Sequence, residues 1–319
     1  ILPGHERLMQ GKGFRALKLT IIGGVGTFLL SIFLIPIIFA FLEKGYNILS
    51  TAIAPILILF SIIFILQEKK FRKIFWAAMI FLLAGTIGLI VLNQISVKQP
   101  LFPLLSGLFG ISTLFLSLFN NQKIPKQILN AEINYFTKSR LLDYFKAAIS
   151  SLFVSILPAI GAAQAAVISR AFTKFKDNED FLIVLGGINT AVALFTLTTL
   201  YVLGKSRTGV IAVLKEIITL SFSDYIVLLV VCFIAMIFGV ILALKIGRFA
   251  AKNITKINYK TISIGVICFI SILVFLFSGI IGLWILFISS CIGLLAPLVG
   301  VRRIHLMAVL VIPVVLYYW

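Results

Sequence analysis

Acidic residues are scarce in this chain: 10 Asp and Glu stand against 28 Lys and Arg among 319 residues. The hydropathy pattern puts every one of them (Glu6, Glu43, Glu68, Glu132, Asp143, Asp177, Glu179, Asp180, Glu216 and Asp224) in a loop or at the end of an apolar run. Proton-coupled carriers usually mark their relay with an intramembrane Asp, Glu or His, and cation sites need negative charge. The pattern therefore argues against a cation substrate and against a side-chain proton relay. Cysteine and histidine are sparse too. Cys232, Cys268 and Cys291 lie in apolar runs without a CxxC pair, and His5 and His305 flank apolar segments far apart in sequence. The cysteines read as packing residues, and with the two histidines so far apart no disulfide, zinc or haem site is expected. The chain has no Walker A loop, HExxH, GxSxG or paired intramembrane carboxylates. No catalytic residue, metal or cofactor is assigned, and ATP hydrolysis by this chain is excluded.

What is present is apolar. Hydrophobic residues make up 61% and charged residues 12%, against about 25% charged in soluble domains, which marks an integral membrane protein. The formal charge of +18 reads as Lys- and Arg-rich cytoplasmic loops attracted to anionic lipid. No basic segment is interleaved with aromatics as a nucleic-acid surface would be, so no nucleic-acid partner is expected.

Apolar runs predict an all-α polytopic protein, one membrane domain over 1–319. About nine spans are expected, at 19–42, 48–66, 74–95, 101–119, 181–203, 225–246, 261–278, 280–299 and 304–318, each near the roughly 20 residues that cross a bilayer. The longest polar stretch, 119–145, is read as a cytoplasmic loop. The chain begins at Ile1 without Met or a signal-peptide pattern, and its polar start runs straight into the first span. Sequence is therefore expected to be missing before Ile1.

The remaining apolar run, 145–169, contains Leu157-Pro158-Ala159-Ile160-Gly161. Pro158 lacks an N–H and clashes with the preceding turn, so a helix must break there. In lipid, broken backbone survives only where protein or a watery cavity satisfies it. Transporters use such half-helices to aim N–H groups at anions near the midplane, although a simple proline kink is the plainer alternative. Charge decides between them. If the run is a re-entrant hairpin, only Lys44, Lys98, Lys205, Arg207 and Lys215 lie outside the cytoplasm. If it crosses fully, the basic groups at Lys245–Lys260 and Arg302-Arg303 move outside with the segment after Ser169. The positive-inside rule favours the hairpin.

Polar groups cluster near this break. Gln164 follows it, and Gly186-Gly187-Ile188-Asn189-Thr190 is expected to interrupt the 181–203 span, where a glycine pair beside Asn and Thr can open a helix. Pro158, Gly161, Ala162, Ala163, Gln164, Gly186, Gly187, Asn189 and Thr190 form the candidate substrate-binding set. Helix packing is the alternative for the small residues and interhelical hydrogen bonding for Gln164 and Asn189, while Gly23-Gly24-Val25-Gly26 is read as packing. A second irregular stretch joins Pro100-Leu101-Phe102-Pro103 to Gly107 and Gly110, and is expected to thin that span where it crosses the hairpin.

Leu157-Pro158-Ala159-Ile160-Gly161-Ala162-Ala163-Gln164 resembles the Pro-Gly-Ile-Gly signature of the large membrane subunit of tripartite tricarboxylate transporters, the TctA-like superfamily. Leu104-Leu105-Ser106-Gly107-Leu108-Phe109-Gly110 is similar to that family's Gly-Leu-Phe-Gly segment. Leu2-Pro3-Gly4-His5, Leu200–Gly209 with Asn189-Thr190, and Gly300–Met307 look like its shorter prokaryotic branch of predicted membrane proteins. Ala159 departs from the family's usual Gly, which questions the tightness of the turn. An earlier copy of the motif is not found here, so half of an inverted-repeat site would be absent. The resemblance implies an inverted-repeat transporter of the prokaryotic cell membrane, with a small membrane subunit and an extracytoplasmic binding protein as partners.

These readings converge on a secondary transporter or permease for a small organic anion, a carboxylate, held at half-helix N-termini. The alternatives are a membrane-embedded enzyme or lipid-handling protein, for which Asp177, Glu179 and Asp180 are the one acidic cluster and read as a solvated loop, and an assembly subunit without transport of its own.

Overall fold

A computed structural model describes residues 3–119, 124–129, 138–172, 178–256 and 258–319. Among these the chain is helical and has no strand. In order the elements are α1 (Pro3–Met9), α2 (Gly13–Leu66), α3 (Phe71–Asn93), α4 (Leu101–Leu105), a π-helical turn (Ser106–Ile111), α5 (Ser112–Phe119), α6 (Lys138–Ile156), α7 (Ala162–Phe172), α8 (Asn178–Leu203), α9 (Gly209–Ile217), α10 (Phe222–Asn253), α11 (Tyr259–Leu298), a 3-10 turn (Arg303–Met307) and α12 (Ala308–Tyr318).

Six helical stretches are long and apolar enough to cross a membrane: Gly13–Ala40, Phe71–Asn93, Leu101–Phe119, Glu179–Leu203, Phe222–Asn253 and Lys260–Leu298. Thr51–Leu66 and Arg303–Tyr318 are shorter apolar helices. The nine-span expectation differs because two of its spans are these shorter pieces and two more are joined. The 261–278 and 280–299 runs form the single helix α11, with Gly279 at φ 64° inside it. A straight helix of 40 residues would extend about 60 Å, twice a bilayer's hydrocarbon thickness. The left-handed turn at Gly279, open to glycine because it lacks Cβ, divides it where the sequence changes span.

The chain that reads as one membrane domain packs as two compact units, Ile1–Ile48 with Lys123–Lys256, and Leu49–Gln122 with Ile257–Trp319. In the first unit α2 and α8 run parallel. Leu19 shares a core cluster with Leu182 and Ile183, and Phe39 meets Tyr201 with ring centroids 5.7 Å apart. Between those contacts the backbones nearly touch. A methyl group added at Gly23 would lie 1.9 Å from the Ile183 carbonyl oxygen, and one at Gly186 2.1 Å from that of Thr20. Small residues let membrane helices approach this closely. Helix α10 starts at a capping box: Ser221 Oγ accepts from the Asp224 N–H at 3.2 Å, and Asp224 Oδ2 accepts from the Ser221 N–H at 3.0 Å. Such reciprocal bonds satisfy two otherwise unpaired donors. Along α10, Val230, Ile234, Phe238 and Ile241 are exposed, a continuous apolar face that suits lipid and not water.

In the second unit Ile80, Ala84, Ile87 and Val91 of α3 pack with Leu104, Leu108, Ile285, Ala296, Leu306 and Val309. The sequence expectation for Gly107 concerned the hairpin; the structure gives it a partner within its own unit. A methyl group at Gly107 would lie 2.6 Å from the Leu286 carbonyl oxygen of α11, and one at Gly293 of α11 would lie 2.3 Å from that of Leu108. Glu68, expected at a span end, is buried at 6% exposure. It accepts from the Arg302 N–H at 3.2 Å and from Arg302 Nε at 3.1 Å, and His305 Nε2 lies 3.4 Å away. Burial alone would raise the Glu68 carboxyl, but the hydrogen bonds from Arg302 and His305 outweigh it and hold the group below its ordinary value.

Candidate functional site

Helix α6 ends at Ile156, just before Leu157-Pro158, and α7 begins at Ala162. Leu157 still donates to Phe153 O at 2.8 Å. Pro158 has no N–H to continue the ladder, and a residue before proline is pushed out of helical conformation. The reversal is then made at Ala159, which has φ 62°. This is the position where the resemblance led one to expect Gly, and the turn is formed with Ala at the cost of a left-handed alanine, about 1–2 kcal/mol. Ala147 of α6, Ala165 and Ala166 of α7, and Phe181, Val184 and Ile188 of α8 make one buried cluster. Nearer the break, Val154 and Leu157 sit with Val192 and Thr196. So α6 runs alongside α8 in the same direction, and α7 returns in the opposite one.

At the tip of this hairpin lies a cleft of about 420 Å³. Pro158, Ala159, Ile160, Gly161 and Ala162 form one wall; Asn189, Val192 and Thr196 of α8 form another; Ser206, Arg207 and Thr208 close the third. Gln164 stands at the third position of α7, and its Oε1 accepts from the Gly161 N–H at 3.0 Å. That is the returning half of a capping box. It fixes the helix start and leaves the N–H groups of Ala162, Ala163 and Gln164, the first turn, without partners inside the helix. Those groups and the helix dipole give this end partial positive charge. Arg207 adds a full one. Asn189 Nδ2 donates to Leu185 O at 3.1 Å, which leaves its carbonyl and one amide hydrogen for the cleft. Such a pocket can take an anion bearing hydroxyl or further carboxyl groups.

The nine residues proposed from sequence thus divide. Pro158, Gly161, Ala162 and Asn189 line the cleft. Gln164 organises the helix start behind it, and Ala163 lies in the first turn of α7. Gly186, Gly187 and Thr190 are at the contacts between helices. A methyl group at Gly187 would lie 2.2 Å from Thr27 Oγ1, and one at Gly24 2.7 Å from Thr190 Oγ1. Helix α8 continues through the glycine pair without a break: the α2 backbone at Thr20 packs on Gly186, and the Thr27 and Ala147 side chains pack on Gly187. Arg207 was missed. The available signal was its place among the five cations that the hairpin reading leaves outside the cytoplasm.

The base of the hairpin also differs from expectation. Asp143 is not in a loop but in α6, with 1% exposure. Its Oδ1 accepts from Lys146 Nζ at 3.1 Å. Burial raises its carboxyl above the ordinary range; Lys146 offsets part of this, and the charge of Asp180 adds to it. Glu179 and Asp180 occupy the first turn of α8. Glu179 pairs with Arg15 at 3.0 Å and Arg7 at 3.6 Å, so this acidic pair is built into the helix junction and is not a solvated loop. Asp177, Lys174 and Lys176 lie outside the described residues. The three cysteines are free, and no group of three metal-ligating side chains occurs among the described residues.

The chain matches the tripartite tricarboxylate transporter TctA family over residues 1–308. It belongs to that family. An uncharacterized protein of Methanocaldococcus jannaschii is 27% identical over 332 residues, covering 99% of this chain and 80% of that protein. No solved structure matches. Family membership and the apolar helices together make this a multi-pass membrane protein and a component of a transporter family.

Proposed function

We propose that the chain is a permease of the prokaryotic cell membrane that carries a small organic anion, a di- or tricarboxylate, through the cleft at Pro158–Ala162. The observation that carries this reading is the cleft itself. The N-terminus of α7, whose first-turn N–H groups have no partners inside the helix, and Arg207 line one cleft, which suits a substrate with more than one negative charge. The antiparallel arms of α6 and α7 support a re-entrant hairpin, and the family supports a small membrane subunit and an extracytoplasmic binding protein as partners. In proteoliposomes containing the protein, labelled citrate should be taken up, and Arg207→Gln should raise the citrate concentration needed for half-maximal uptake. Transport of a cation or a neutral lipid with no carboxylate uptake would overturn the reading.

A further inference from the structure

Along α6, Asp143, Ala147, Ser151 and Ser155 recur at every fourth residue and share one face; all four are buried. That face begins at the hairpin base and ends beside Val154 and Leu157 at the cleft, about 18 Å away by helical rise. Helix α2 runs alongside in the same direction. Its Thr27 meets Gly187, which also faces Ala147, and Gly26 lies against Tyr144. One turn further along each helix come Ser31 of α2 and Ser151 of α6, both buried. Asp143 Oδ2, Thr27 Oγ1 and Ser31 Oγ are all fully buried, and none has a hydrogen-bond partner among the described residues. Ser151 and Ser155 donate to the Ala148 and Leu152 carbonyls at 2.7 Å and keep lone pairs to accept with. Buried polar atoms are nearly always bonded, so three orphans along one seam point to ordered water or a transferable proton.

The burial of Asp143 within α6 removes the ground on which the hydropathy pattern argued against a side-chain relay, and we propose that this seam carries a proton between the cleft and Asp143, so that anion transport is proton-coupled. The proposal rests on the anion reading above. The proton enters with the anion at the cleft and passes along water and hydroxyls past Ser155, Ser31 and Thr27. It forms an O–H bond at Asp143 Oδ2, and that bond breaks again to water at the hairpin base. The charged groups around Asp143 fit this cycle. Lys146 and Arg140 of the same helix compensate the carboxylate after release, and Asp180 of α8 favours its protonation. Glu179 is engaged by Arg7 and Arg15.

Two measurements on the full chain in lipid test it. Infrared difference spectra over a pH titration should contain a protonated-carboxyl band with a midpoint above those of the exposed carboxylates, lost in Asp143→Asn. Absence of that band from the wild type, or its persistence in the variant, would overturn the proposal. In proteoliposomes a pH gradient, acid on the cleft side, should drive citrate accumulation. Asp143→Asn should keep citrate exchange and lose that accumulation. Thr27→Val combined with Ser31→Ala, which keeps side-chain shape and leaves the carboxylate untouched, should slow gradient-driven uptake and not exchange. Gradient-driven accumulation unchanged in both variants would overturn the proposal. If the wild type exchanges no carboxylate at all, the anion reading fails, and the infrared band still decides whether Asp143 binds the proton.

Discussion

Two apolar stretches of this protein carry proline and closely spaced glycines, and they end differently. At 157–161 the helix stops, reverses at Ala159 and leaves a cleft. At 101–119 it never stops: Pro100 and Pro103 stand at the start, where a missing N–H removes nothing, and the glycine segment widens into one π-helical turn that locks against α11. Proline position separates the two cases. A proline inside a helical run deletes a ladder bond that must be replaced by a turn, whereas one in the first turn deletes a bond the helix never had. The glycines differ with it. Gly161 precedes a new helix, and Gly107 admits the backbone of a neighbour.

The sharpest way to break this comparison is to fill the closed stretch. Gly107→Ala places a methyl group 2.6 Å from a backbone carbonyl, and overpacking of this kind costs about 1–3 kcal/mol. Thermal unfolding in detergent should shift down, and an unchanged midpoint would mean that α11 and the π-helical turn are not locked. The second unit also has its own acid limit. The Glu68 carboxyl sits below its unfolded value, so the stability it contributes is fully present above the unfolded pKa and is lost as pH falls through the folded one. Glu68→Gln should cost about 1–3 kcal/mol at neutral pH, the usual loss for a buried hydrogen-bonded acceptor, and should flatten the acid branch of the stability profile. A profile of unchanged steepness would assign the acid loss elsewhere. The smallest effect is a gain. Ala159→Gly removes the left-handed alanine and should stabilise the turn by about 1 kcal/mol, read from the unfolding midpoint. A loss of stability would show that the reversal needs alanine's restricted chain.

How much of this was legible in the sequence follows from range. The break at Pro158, the division at Ser278-Gly279 and the close packing of Gly23 and Gly24 are local consequences of proline and glycine chemistry, and they fall where the residues placed them. Gly186-Gly187 looks like an opening in the sequence because a glycine pair weakens a helix by itself; the α2 backbone at Thr20 and the Thr27 and Ala147 side chains packed against it give it a contact role that sequence alone does not reveal. Asp143 was read as loop because Asn120 to Tyr144 is polar on average. Its burial comes with the packing of α6 against α8, whose Asp180 lies near it but far away in sequence. Arg207 is countable as one of the few cations outside the cytoplasm in the hairpin reading, but its place at the cleft with Ala162 depends on how α8 brings the chain to the hairpin tip.

On the proposed reading an anion binds in the cleft that the first turn of α7 and Arg207 line. Ala162→Asp puts a carboxylate among those N–H groups, and citrate uptake into proteoliposomes is the measurement. The variant should insert and unfold like the wild type while uptake falls to the level of empty vesicles. Uptake at the wild-type rate would contradict it.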